Sequence, residues 1–261
     1  MDLEWKSQTV RIREFGQGPS VLLVHGYPLD GAMWSGVARS LSERFRVFKL
    51  DLPGHGENPA PAGGTMEDYA GFLEAVLTQV KGPAGIAAFS MGGYALLSLL
   101  RRSPSNAAAL ALVDTRARAD DEAGRTGREA AIQAVRAGGA AGIVDAMVEK
   151  LLSAAGRSNE GLVERLRRII LRQKPEALES DLAAMRDRPD SVDLLPGISV
   201  PTLVITGEAD VITPPSEGES MASAIPGARY LQIPGAGHLT PMERPGAVAS
   251  SLAEHFAATL S

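Results

Sequence analysis

The stretch from Ala84 to Arg102 constrains the fold of this chain more than any other. An apolar run, Ala84-Gly-Ile-Ala-Ala-Phe89, stops at Ser90 and gives way to Met91-Gly-Gly-Tyr94, after which Leu97, Leu100 and Arg101 follow at helical spacing. The pattern reads as a strand, a sharp turn and a helix, with a serine on the turn. Small residues flank the serine: Ala88 two places before it, Gly92 two places after, then Gly93. Strand and helix backbones nearly touch at such a turn, so small neighbours are required. The turn also holds the serine in a strained conformation that lifts its hydroxyl clear of the sheet. The Met91 amide, at the start of the helix, has no partner within the helix and points at whatever the hydroxyl attacks.

Strand and helix patterns alternate on both sides of this unit. Val10 and Ile12 alternate with Arg11 and Arg13, as in exposed strands. Val21-Leu-Leu-Val24 is a continuous apolar run, expected of a strand covered on both faces, and it ends in His25-Gly26-Tyr27-Pro28-Leu29-Asp30. A helix is predicted from Ala32 to Leu41, a strand from Phe45 to Leu50, and a helix after the capping pair Thr65 and Asp68. Leu110–Val113, Val200–Thr206 and Arg229–Ile233 read as further strands, and Val248, Leu252 and Phe256 as a closing helix. Between about residues 116 and 190 strand signals vanish and about four amphipathic helical stripes replace them. Such a segment is too small to stand alone. It is expected to lie as a helical cap (116–190) on an α/β core made of 1–115 and 191–261, with a mostly parallel central sheet and helices on both faces.

Three polar residues follow three predicted strands: Ser90, Asp210 in Gly207-Glu-Ala-Asp210-Val-Ile-Thr-Pro214, and His238 in Gly235-Ala-Gly-His238. In parallel sheets, active groups gather at the carboxyl ends of strands. A serine hydroxyl needs a base to accept its proton, and an imidazole serves near neutral pH. A carboxylate fixes the imidazole tautomer and stabilises the imidazolium. Asp114 also ends a strand and is the rival for the acid.

These motifs, with His25-Gly26 and Asp51-x-Pro53-Gly54-x-Gly56, resemble the α/β-hydrolase superfamily from about residue 21 to residue 245. One departure is that Ala88 stands where the family's G-x-S-x-G has its first glycine. The resemblance implies a catalytic triad of Ser90, Asp210 and His238, and an oxyanion hole from the backbone N–H groups of Tyr27 and Met91. His25-Gly-Tyr-Pro-Leu-Asp-Gly-Ala-Met-Trp34 looks closest to a branch of small carboxylesterases, cofactor-free haloperoxidases (perhydrolases) and enol-lactone hydrolases. The expected activity is therefore a serine carboxylesterase acting on short-chain esters. Its rivals are an enol-lactone or carbon–carbon bond hydrolase, a perhydrolase, and a hydrolase-like ligand-binding or signalling protein with slow turnover.

Trp34 and Leu29 are expected near the acyl pocket, with packing in the core as the alternative for Trp34. His25 is expected to brace the oxyanion loop, His55 to bond solvent or backbone in its glycine-rich turn, and His255 to lie on the surface. No cofactor is implied, and four dispersed histidines in a chain without cysteine show no metal-ligand spacing. The partners expected are a small ester and water. A net charge of −5 provides no nucleic-acid footprint. No apolar run is long enough to span a membrane, and the first residues do not form a signal peptide, so the cytoplasm is the expected location.

Overall fold

The computed structural model describes residues 1–80, 82–102 and 107–260. A two-stranded antiparallel hairpin, β1 (Asp2–Trp5) and β2 (Gln8–Arg11), precedes the main sheet. That sheet has seven strands: β3 (Arg13–Phe15), β4 (Ser20–Val24), β5 (Arg46–Lys49), β6 (Ala84–Phe89), β7 (Ala107–Val113), β8 (Thr202–Gly207) and β9 (Arg229–Ile233). Their order is β3-β5-β4-β6-β7-β8-β9, and all neighbours are parallel except the edge pair β3 and β5.

Both faces of the sheet are covered, and the period-two alternation of the strands assigns residues to each. Leu22, Val24, Ile86 and Ala88 pack with α2 (Met66–Gln79) and α3 (Met91–Arg102). Val21, Leu23, Ala87 and Phe89 pack with α1 (Ser35–Leu41) and with α11 (Pro245–Thr259), the last helix of the chain. Double coverage explains why β4 and β6 are apolar at every position. The Thr65 side chain caps α2 by accepting from the Asp68 amide, as the sequence pattern predicts.

The polypeptide between β7 and β8 is helical. It holds α4 (Glu122–Gly138), α5 (Val144–Leu151), α6 (Ala154–Arg157), α7 (Glu160–Leu171) and α8 (Pro175–Arg186), five helices where about four were expected. The additional one is the single turn α6, which the Ser153 side chain starts by accepting from the Gly156 amide. This insertion adds to both apolar clusters. Ile132 of α4 and Leu178 and Leu182 of α8 join the α2–α3 side, whereas Val148 of α5 and Leu166 and Ile170 of α7 join the α1–α11 side. Two helices lacking a clear sequence stripe complete the fold: α9 (Pro215–Ala224), which buries only Gly218 and Met221, and the single turn α10 (Thr240–Glu243). Among the described residues no single helix is long and apolar enough to cross a membrane.

Candidate active site

Ser90 stands between β6 and α3 with φ at +50°, a left-handed conformation unusual for a residue with a side chain. Such a residue costs roughly 1–3 kcal/mol and persists only where its surroundings hold it. Here the Ser90 amide donates to Val113 O (2.9 Å), and Ser90 O accepts from Thr115 Oγ1 (2.8 Å). The turn is as crowded as its small residues imply. A Cβ on Gly92 would lie 2.5 Å from His25 O, and one on Gly26 would lie 2.8 Å from Phe89 O.

The ends of β6, β8 and β9 bring Ser90, Asp210 and His238 together. His238 Nε2 lies 2.9 Å from Ser90 Oγ, and His238 Nδ1 lies 2.8 Å from Asp210 Oδ2. All three residues are buried. Asp210 also accepts from the amides of Ile212 (2.8 Å) and Thr213 (2.9 Å) and from Thr213 Oγ1 (2.8 Å). Burial alone would raise the Asp210 carboxyl, but the imidazole of His238 and these hydrogen bonds outweigh it and hold the group below its usual range. An ionised carboxylate only accepts, so Nδ1 carries the proton and Nε2 presents its lone pair to the serine hydroxyl. This arrangement can draw the proton from Ser90 as its oxygen attacks.

Asp114 does not reach His238. Its oxygens accept from the amide of Gly207 (2.9 Å) and from the amide (3.3 Å) and hydroxyl (2.5 Å) of Thr240. Burial, reinforced by the charge of Asp210, pushes its carboxyl well above the usual range.

Tyr27 and Met91 flank the serine in the loop after β4 and at the start of α3. Among the described residues neither backbone N–H donates to another group of the chain. The loop is braced by His25, whose Nε2 accepts from the Leu52 amide (2.9 Å) while Nδ1 donates to Gly26 O (3.1 Å). Burial, aided by the neighbouring His55, lowers the His25 imidazole to about 4. At the end of the loop, Asp30 caps a short 3-10 helix through the Ala32 amide (2.9 Å) and accepts from Arg172 and Gln173, just beyond α7.

Other residues depart from the first expectation, and for Trp34 the core alternative holds. Trp34 and Leu29 are wholly buried in the α1–α11 apolar cluster and border none of the described cavities. The chain folds back after Tyr27 and carries both side chains beneath the loop, where their large apolar surfaces leave water. His55 bonds neither solvent nor backbone through its ring. It is wholly buried, with Nδ1 3.1 Å from Gln173 Oε1 and Nε2 3.0 Å from Asp181 Oδ2 of α8. The insertion covers that turn and supplies both partners. His255 is likewise buried rather than superficial. It sits on the inward face of α11, with Nε2 2.9 Å from Leu110 O of β7.

Glu243 escapes sequence reasoning because no local motif marks it. Its carboxylate accepts from the Gly237 amide (2.7 Å), next to His238, and from the Ser153 hydroxyl (2.5 Å) of the insertion. Among the described residues no group of three or more histidine, aspartate or glutamate side chains is placed to hold a metal ion.

A cavity of about 330 Å³ is bordered by Tyr27, by Val211 and Ile212 beside Asp210, and by residues of the insertion. Its apolar wall includes Met147 and Leu182, and its polar wall is Arg116, Asp120, Arg128 and Lys150.

Comparison with known proteins gives the same architecture. The family profile for the alpha/beta hydrolase fold matches residues 19–245. A pimeloyl-[acyl-carrier protein] methyl ester esterase from Methylococcus capsulatus is 32% identical over 87% of this chain and 91% of its own. The solved structure of a thermophilic esterase from Thermogutta terrifontis, with malate bound, is 35% identical with a TM-score of 0.94, covering 100% of this chain and 99% of that one. An enol-lactonase from Burkholderia xenovorans is 27% identical with a TM-score of 0.90, covering 98% of this chain and 100% of that one. With the seven-stranded sheet, the serine turn and these matches, the chain belongs to the α/β-hydrolase family, as an ester-hydrolysing enzyme.

Proposed function

We propose that the chain is a serine carboxylesterase that works through an acyl-enzyme. The observation that carries this reading is the continuous hydrogen-bonded line from Ser90 Oγ through His238 to Asp210. Ser90 Oγ attacks the ester carbonyl carbon while His238 Nε2 takes its proton. The carbonyl oxygen becomes an oxyanion and is received by the N–H groups of Tyr27 and Met91, which have no other partner among the described residues. His238 returns the proton to the departing alkoxide, and the carbon–oxygen bond to the alcohol breaks. A water then enters, gives a proton to His238 and attacks the acyl carbon. Collapse of the second tetrahedral intermediate releases the acid and restores the serine hydroxyl. Asp210 keeps Nδ1 protonated throughout.

The helical insertion acts as the cap of this site, and the small cavity beneath it selects short acyl chains. The curated relatives are named for a methyl ester, which supports a small alcohol as leaving group. An esterase reading is favoured over a lactonase one by the higher identity to the Thermogutta terrifontis enzyme. Turnover of p-nitrophenyl esters from acetate to palmitate tests the reading. Acetate-to-hexanoate esters are expected to dominate, with a graded decline because each methylene changes discrimination by only about 1–3 kcal/mol. A palmitate optimum would overturn the short-chain assignment.

A further inference from the structure

The cavity beside Tyr27 has two kinds of wall. Met147, Leu182, Val211 and Ile212 suit a short alkyl chain. The other wall is built around one buried carboxylate. Asp120 is ion-paired with Arg116, with Arg128 (3.0 Å) and with Arg188 (3.0 Å). Three guanidinium groups on a single carboxylate leave positive charge in excess, because the two other carboxylates nearby have partners of their own: Glu217, close to Arg116, pairs with Arg118, and Asp181, close to Tyr27, pairs with His55. Lys150 adds to this excess, since among the described residues it forms no ion pair. Charge of one sign inside a low-dielectric cleft attracts an ion of the other.

Two residues that border this cavity carry buried donors with no acceptor among the described residues. Among the described residues the Tyr27 hydroxyl, on a residue 6% exposed, has no hydrogen-bond partner, and neither has the Arg116 Nε atom. Native interiors seldom leave buried donors unmet, and each such group asks for an explanation. Tyr27 is also the residue whose backbone N–H faces the reacting carbonyl in the proposed mechanism. Tyr27 therefore links the cavity to the proposed reaction centre.

We infer that the cavity binds esters carrying a free carboxylate, with the half-esters of short dicarboxylic acids as the substrate class. The alkyl spacer lies along the Met147 and Leu182 wall. The carboxylate accepts from the Tyr27 hydroxyl and pairs with the excess charge of Arg116, Arg128 and Lys150. A dimethyl ester offers the same spacer and a neutral acceptor, so it forgoes the ion pairing and the charge-assisted hydrogen bond. The inference rests on the proposed serine esterase reading and adds to it the charge of the acyl chain.

The test compares the monomethyl esters of succinic, glutaric, adipic and pimelic acids with the corresponding dimethyl esters. The readout is the ratio of kcat/KM for half-ester to that for diester, at low ionic strength. The expected ratio in the wild type is above one at one or more chain lengths. Arg128→Gln and Lys150→Gln are each expected to lower it by about tenfold, and Tyr27→Phe by a similar factor, as for loss of a charge-assisted hydrogen bond. Tyr27→Phe and Lys150→Gln remove groups that pair with nothing among the described residues, so both variants should fold. Diesters preferred at every length, or a ratio unmoved by all three variants, would overturn the inference. p-Nitrophenyl butyrate hydrolysis by wild type and Ser90→Ala, run alongside, separates the two failures. Equal turnover by both would sink the serine esterase reading, whereas Ser90-dependent turnover with an unmoved ratio would sink only the carboxylate site.

Discussion

Asp114 and Asp210 end neighbouring parallel strands, yet only Asp210 reaches His238. Both carboxylates are buried, yet burial and the charge of Asp210 push Asp114 up while Asp210 itself is held down. Asp210 meets an imidazole and four hydrogen-bond donors in all and stays ionised. Asp114 meets only the Gly207 amide and Thr240, and its charged form is disfavoured. Asp210→Asn is therefore expected to lower kcat by about 10⁴-fold, the size of the corresponding change in a serine protease. Asp114→Asn should change kcat by less than about tenfold and cost about 1–3 kcal/mol of stability instead, because it disturbs buried hydrogen bonds. Steady-state kinetics and urea unfolding of both variants check the ranking, and a reversed order would make Asp114 the acid.

Replacing Ser90 by alanine should abolish nearly all turnover, by about 10⁴–10⁶-fold in kcat, since serine and base act as a unit. The variant should remain folded, and its strained left-handed turn is retained at the shorter residue. Treatment of the wild type with a phosphonate fluoride, followed by peptide mass spectrometry, should place the label on Ser90 alone. Label on any other serine contradicts the assignment.

The buried imidazole of His55 predicts a pH-dependent stability. Burial pulls its pKa down, but the charge of Asp181 and the bonds to Asp181 and Gln173 win and hold it above the usual 6.5. Protonated His55 thus contributes stability that is complete below about pH 6.5 and is lost as pH rises through the raised value. The double variant His55→Gln/Asp181→Asn removes this term without stranding a charge. Its stability deficit should be greatest on the acid side of neutrality and shrink at higher pH, measured by urea unfolding from pH 5.5 to 9. A deficit that grows with pH would refute the charged pair. His25 works in the opposite sense: lowered to about 4, it stabilises fully above pH 6.5 and loses that contribution on acidification towards 4.

Two glycines in helices should respond oppositely to alanine. On Gly92, at the start of α3, a Cβ would meet the backbone oxygen of His25 at 2.5 Å. Neither backbone can yield without moving the loop after β4, so Gly92→Ala should cost about 1–3 kcal/mol and reduce turnover. Gly127, within α4, has nothing within 4 Å of the same position. Gly127→Ala should raise stability by about 0.5–1 kcal/mol through helix propensity. Thermal unfolding of the two variants measures the difference, and equal shifts would contradict the packing described at the serine turn.

What the sequence determined by itself is what local chemistry dictates. The strained turn at Ser90, the cap at Thr65 and the doubly covered strands β4 and β6 follow from small residues, one hydroxyl at the right spacing and unbroken apolar runs. The order of Ser90, Asp210 and His238 was legible because each ends a strand, and parallel strands deliver their ends to one edge. Tertiary structure decided whatever depends on distant segments meeting. The choice of Asp210 over Asp114 hangs on which carboxylate the His238 loop approaches. In sequence His55 reads as bonded to solvent or backbone in a glycine-rich turn and His255 as superficial among polar neighbours, and only the packing of α8 and of α11 buries them. Trp34 and Leu29 sit beside Tyr27 in sequence, but the fold turns them into the core. The excess positive charge around Asp120 joins residues before α4, within it and after α8. No periodicity records such a meeting, because it is set by how the insertion packs and not by neighbours along the chain.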